Sequence, residues 1–143
     1  MDKVLKAQMT AQFYHGGQKY GGYPYEYHLK KVVKKVEDLY PESPKLKLLQ
    51  QVAWLHDVVE DTDIDPQFLL EEFGAEVTNA VMVISKIEGE DLYDYYDRVA
   101  TNKLAFKVKV ADTLSNLEQS CKESMTKRIF KYTNQIQELY GRK

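Results

Sequence analysis

Apolar residues recur at helical spacing along almost the whole chain, and no segment alternates with the period of two that a half-buried strand needs. The first such stretch, residues 3–14, has Val4, Leu5, Met9 and Phe13 as its apolar positions. The run from His15 through Gly22 to Pro24 is too rich in glycine to continue a helix and reads as an ordered loop. Residues 25–40 resume the pattern, with Leu29, Val32, Val33, Val36 and Leu39 on one stripe. Pro41 and Pro44 punctuate the turn before a third helix over 45–59, which carries Leu48, Leu49, Val52, Ala53 and Leu55. A polar loop from Asp61 to Pro66 leads into a short helix ending near Phe73 and Gly74, and another covers 75–87. Two further pieces, 90–100 and 103–121, precede a C-terminal helix over 124–140. The pattern predicts an all-α fold, a compact bundle of about six to eight helices. No repeat or linker divides it, so residues 1–143 read as a single domain.

The informative positions are those where polar groups interrupt an apolar row. His56 continues the row of Leu48, Leu49 and Val52, and Asp57 follows Ala53 by four residues. A carboxylate at the edge of a packed face costs on the order of several kcal/mol unless it is paired or bound to a cation. Glu60 and Asp61 lie four residues beyond His56 and Asp57, so four ionisable groups crowd the end of an otherwise apolar helix. In the helix from Lys103, Asp112 extends the row of Ala105 and Val108, and Asn116 comes one turn later. His28 immediately precedes the apolar stripe of the second helix.

Each of these has an ordinary reading: a core histidine, a rim carboxylate, a histidine facing water at a helix start. Read together, two imidazoles and two carboxylates (His28, His56, Asp57 and Asp112) form a mixed nitrogen–oxygen set suited to a divalent cation. Four protein ligands leave room for water in an octahedral shell, and hydrolysis requires such an open position. Glu60 and Asp61 could then orient or deprotonate that water, or protonate a leaving group.

Charge narrows the partners. The formal net charge is -2, which leaves no overall basic field to hold nucleic acid, so any phosphate must be bound by a local site. Lys30, Lys31, Lys34 and Lys35 read as the solvated side of an amphipathic helix. The single cysteine, Cys121, excludes an internal disulfide framework and fits a reducing compartment. The N-terminus lacks the apolar core of a secretion signal, and no apolar run approaches the length of a bilayer span. A cytoplasmic protein is expected, without nucleic-acid or membrane partners. Oligomeric state is left open.

These residues, in their order, resemble the HD superfamily, and most closely the hydrolase domain of RelA/SpoT proteins and the small alarmone hydrolases. The resemblance runs from about Ala7 to Leu117. It includes His15-Gly16-Gly17-Gln18, then Pro24-Tyr25-Glu26-Tyr27-His28, like the family's Pro-Tyr-x-x-His. The segment Ala53-Trp54-Leu55-His56-Asp57-Val58-Val59-Glu60-Asp61-Thr62 is similar to its His-Asp-x-x-Glu-Asp-Thr block. Phe73-Gly74-Ala75-Glu76-Val77, Ser85-Lys86 and finally Lys109-Val110-Ala111-Asp112-Thr113-Leu114-Ser115-Asn116 follow in order. The resemblance implies metal ligands at His28, His56, Asp57 and Asp112, usually holding manganese, and catalytic acids at Glu60 and Asp61. It sets Asn116 near a nucleotide sugar. The implied reaction removes the 3′-pyrophosphate from guanosine tetra- or pentaphosphate.

The chain departs from the family in the Gly-rich loop. An Arg-Lys pair is usual there, whereas this chain has Lys19-Tyr20-Gly21-Gly22-Tyr23, one residue shorter and without arginine. Lys19 could meet a phosphate and Tyr20 or Tyr23 could stack on a base, or the lysine is solvated and the tyrosines pack the loop. Two alternatives to an alarmone hydrolase therefore stand. One is the same chemistry on another nucleotide or a 3′-phosphorylated dinucleotide cofactor. The other is a non-catalytic nucleotide-binding module.

Overall fold

Short polar residues start most of the helices. In the computed structural model, which describes residues 1–143, Asp2 accepts from the amides of Val4 and Leu5 and opens α1 (Lys3–His15). The helices α2 (Tyr25–Leu39), α3 (Leu46–Leu55) and the single turn α4 (Val58–Asp61) follow. Asp65 caps α5 (Pro66–Ile84), with Pro66 at its first position. Asp91 caps α6 (Leu92–Ala100), Asn102 caps α7 (Lys103–Lys122), and α8 (Thr126–Tyr140) closes the chain. One cluster of 28 buried apolar residues takes members from all eight helical segments, so every segment packs on the same core. The all-α bundle expected from the periodicity is therefore the observed one. No helix is long and apolar enough to cross a membrane.

α7 is the axis of the bundle. Twelve of its residues are buried, and it packs against α2, α3, α5, α6 and α8. Polar ties fix α8 against it: the Thr113 hydroxyl donates to Gln135, whose amide donates to the Tyr96 hydroxyl on α6.

Four local differences from the sequence expectation have identifiable causes. In α1 the buried positions are Ala7, Ala11 and His15, while Leu5, Met9 and Phe13 are 47%, 49% and 76% exposed. The inward face is set by the small residues, which let α1 lie close against α3. Leu39, expected on the α2 stripe, is likewise exposed at that helix's end. The third helix does not run to 59 but stops at Leu55 and restarts as α4. There the His56 imidazole Nδ1 bonds the Ala53 carbonyl at 2.7 Å, competing for the oxygen a continuing helix would use. The Gly-rich loop contains a two-stranded antiparallel hairpin, β1 (Lys19–Tyr20) with β2 (Tyr23–Pro24), too short to show any alternation.

The two helices expected on either side of Gly74 form one segment with a break in it. Gly74 has φ +83° and ψ 171°, a region open essentially to glycine alone. A Cβ there would meet nothing within 4 Å, so a substitution costs only backbone strain. Gly74→Ala is expected to destabilise the fold by about 1–3 kcal/mol, lowering Tm by several degrees in a circular-dichroism melt. Gly22→Ala, also in open space but without a positive φ, should stay within about 0.5 kcal/mol of the parent. Equal melting of the two variants would rule out strain at Gly74.

Candidate functional site

Two helices and one turn bring together the groups that interrupt or border the apolar rows. His28 sits in the first turn of α2 and is 3% exposed; Asp112 lies mid-way along α7 and is 5% exposed. His56 and Asp57 occupy the turn between α3 and α4. Nε2 of His28 lies 2.9 Å from Asp112 Oδ1 and 4.0 Å from Asp57 Oδ2. Nε2 of His56 lies 3.1 Å from Asp57 Oδ2 and 3.4 Å from Asp112 Oδ1. The nearest ligand atoms of His28, His56 and Asp112 all fall within 4.8 Å of one another.

Hydrogen bonding explains which atoms face the centre. The Ala53 carbonyl can only accept, so His56 Nδ1 carries the proton and Nε2 is the free ring nitrogen. That Nε2 is buried and has no hydrogen-bond partner. Asp57 Oδ2 accepts from the Tyr25 hydroxyl in a very short contact. Asp112 uses its other oxygen, Oδ2, to accept from the buried Lys109 ammonium at 3.1 Å, and Oδ1 also receives the Asn116 amide at 3.3 Å.

The residues fit a cation. Ligands about 2.0–2.2 Å from one ion lie roughly 2.9–4.4 Å from each other, and the four imidazole–carboxylate separations fall in that interval. An unsatisfied buried imidazole nitrogen facing two carboxylates is the arrangement a divalent ion would complete. Burial alone would lower the His56 pKa, but Asp57 and Asp112 outweigh it and hold it well above the ordinary value. Burial likewise would raise the two carboxyls, yet His56 beside Asp57, and Lys109 with the two histidines beside Asp112, hold both below the usual range.

This cluster lies against a cavity of about 200 Å³, whose lining includes Tyr20, Tyr25, Glu60 and Asn116. Glu60 Oε1 accepts the Lys86 backbone amide at 2.7 Å, which leaves its second oxygen free. Tyr20 stacks on the His28 ring, with centroids 4.6 Å apart and planes 9° from parallel, and donates to Asn116 Oδ1 at 2.6 Å. Asp61 and Lys19 are not among the lining residues. Asp61 is exposed and accepts from the Gln18 amide at 3.0 Å, and Lys19 is exposed on the hairpin.

Three lysines on the wall escaped sequence reasoning as site residues. Lys109 precedes Asp112 by one helical turn, a spacing that could have flagged it. Lys86 stands at the mouth, its pKa lowered by partial burial and then by Lys109. Lys131, with Tyr132 and Gln135, comes from α8, whose polar face carries no visible signal. Tyr95, its hydroxyl bonded to the Ile84 carbonyl and its pKa pushed up by burial to about 12, offers its ring to Lys86, Arg98 and Lys109 at 5.7, 5.5 and 5.6 Å.

No family model and no curated protein matches the chain. Among solved structures, it superposes with a TM-score of 0.78 on a protein described as a metazoan ortholog of SpoT that hydrolyses ppGpp and plays a role in starvation responses. The two share 22% identity over 99% of this chain and 87% of that one, and the likeness establishes a common helical fold.

Proposed function

We propose that residues 1–143 form one divalent-metal-dependent phosphohydrolase domain, with guanosine tetra- or pentaphosphate as substrate and the 3′-pyrophosphate as the group removed. The observation that carries this reading is the buried, unpartnered His56 Nε2 held within 3.4 Å of two carboxylates beside a lysine-lined cavity. The ligand set is His28, His56, Asp57 and Asp112, a mixed nitrogen–oxygen set for a divalent cation, and manganese is the ion the family resemblance implies. The fold shared with a ppGpp-hydrolysing protein supports the choice of reaction.

A divalent cation at this position supplies Lewis acidity toward water and a phosphoryl group. The chain's own residues do the rest. Glu60, fixed through one oxygen by the Lys86 amide, takes the proton of the attacking water on its free oxygen. Asp61, oriented by Gln18, is the second acid at the outer edge. Lys86 and Lys131 hold the departing phosphates, while Lys109 is committed to Asp112. Asn116 and Tyr20 meet the nucleoside side, and Lys19 reaches phosphates projecting past the hairpin. A second reading, hydrolysis of another nucleotide by the same residues, is favoured by one observation: a tyrosine bonded to Asn116 stands where the alarmone hydrolases usually carry arginine.

The direct test is incubation with a nucleotide panel and manganese. Pyrophosphate release from guanosine tetraphosphate is expected, and orthophosphate from a different nucleotide would select the second reading. Asp57→Asn should abolish metal binding and turnover yet keep the helical circular-dichroism signal, because Tyr25 can still donate to the amide oxygen. Glu60→Gln should keep stoichiometric metal and lose about 10²- to 10⁴-fold in kcat. Unchanged turnover would take Glu60 out of the mechanism.

Cation and proton compete for His56 Nε2. Since the pKa of His56 in the metal-free protein is raised, the proton wins more often as pH falls. Metal affinity is expected to strengthen by roughly tenfold per pH unit for one displaced proton, flattening above that raised pKa. Calorimetry in two buffers of different ionisation enthalpy reads the released proton. Affinity independent of pH at and below neutrality would remove His56 from the ligand set.

A further inference from the structure

Asn116 has only one way to face the cavity. Its Nδ2 donates to Asp112 Oδ1 at 3.3 Å, and a carboxylate can only accept, so the amide orientation is fixed and Oδ1 points away from Asp112. That oxygen is a buried acceptor needing a donor, and the Tyr20 hydroxyl supplies it at 2.6 Å. The same tyrosine lies flat on His28. With it seated, the cavity measures about 200 Å³, below the roughly 300–1,000 Å³ of typical ligand pockets. The Tyr20 ring and hydroxyl occupy the approach to Asn116 Oδ1.

Tyr20 is carried on a hairpin tied on both sides of its tip, and beyond it Tyr23 stacks on Tyr27 with ring centroids 4.0 Å apart. The hairpin's base is anchored, since Gln18 bonds Asp61 through its side chain, and its carbonyl accepts the Tyr25 amide. Its tip is not: Gly21, at φ +57°, and Gly22 make the turn, and neither has a heavy atom within 4 Å of where a Cβ would sit. Only two residues on each side pair across it.

We infer that Tyr20 is a displaceable competitor, holding Asn116 Oδ1 until a substrate hydroxyl takes its place. This rests on the nucleotide-hydrolase reading and adds a selection rule to it. The Asn116 amide touches Asp112, so the hydroxyl that reaches its oxygen belongs to the sugar carbon next to the one bearing the reacting diphosphate. In guanosine tetraphosphate that group is the 2′-hydroxyl. A substrate lacking it displaces Tyr20 without replacing the hydrogen bond.

The experiment measures dissociation constants by calorimetry with manganese in the Glu60→Gln background, where turnover is slow. The probes are guanosine tetraphosphate and its 2′-deoxy counterpart. The ribo form is expected to bind about 5- to 10-fold more tightly, the worth of one hydrogen bond. Adding Tyr20→Phe keeps the ring on His28 but removes the competing hydroxyl, so guanosine tetraphosphate should then bind about 3- to 10-fold more tightly. Kinetics of Tyr20→Phe alone should show KM falling by a similar factor with kcat within about twofold. Equal ribo and deoxy affinities, or unchanged or weaker binding in the phenylalanine variant, would overturn the inference. Pyrophosphate release by the wild-type protein is scored separately. Tighter binding in the variant without release would leave the inference standing and remove the reaction. Release without tighter binding would do the opposite, and absence of binding by every variant would sink both.

Discussion

A single buried carboxylate organises this molecule. Asp112 sits in the middle of the most enclosed helix, 5% exposed, where an unpaired charge would cost several kcal/mol or more. Its neighbours are the groups that remove that penalty. Lys109 reaches Oδ2 from one turn earlier on α7, Asn116 reaches Oδ1 from one turn later, and the two imidazoles approach Oδ1 from α2 and the α3–α4 turn. Each of these is itself a polar group that α7's apolar surroundings would otherwise exclude. The set is therefore interdependent, and removing one member leaves another buried without a partner. This requirement fixes how α2, α3 and α7 sit against one another as firmly as the apolar contacts do.

The interruption of the third helix follows from the same requirement. Were it continuous through 59, the ring of His56 could not take the Ala53 carbonyl and aim Nε2 at the carboxylates. The turn gives up backbone hydrogen bonds that a continuous helix would make and gains an oriented imidazole. It also turns Glu60 toward the cavity and Asp61 toward the hairpin, where Gln18 holds it. Both acids are exposed, but only Glu60 lines the cavity, while Asp61 is bonded at the hairpin.

The fold was largely legible because its cause is local: apolar residues at helical spacing, capped by Asp2, Asp65, Asp91 and Asn102, leave little choice but a helical bundle. The gathering of His28, His56, Asp57 and Asp112 was legible for a related reason, since each breaks or borders an apolar row. Reading failed where burial is decided by a neighbour and not by the helix itself. Ala7 and Ala11 face the core because α1 must approach α3 closely, whereas hydrophobicity alone favours Leu5, Met9 and Phe13. Lys131 and Tyr132 escaped because α8 meets the cavity with its polar side, and periodicity marks only apolar faces. The contact between Tyr20 and Asn116 spans 96 positions and exists only once the hairpin has folded over α2.

The charges around the cavity bear on how a cation and an anionic substrate would share it. Its lining holds three ammonium groups, on Lys86, Lys109 and Lys131, and three carboxylates, on Asp57, Glu60 and Asp112. With the two imidazoles set aside these formal charges cancel, so the lysines and carboxylates alone give a polyphosphate little reason to prefer this cavity over solvent. A divalent cation beside the carboxylates would leave the lysines' charge uncompensated. In a partly enclosed, low-dielectric space that imbalance is felt over the whole 200 Å³. Metal and polyanion should therefore strengthen each other's binding even before any direct contact between them, because each repairs the charge excess the other creates.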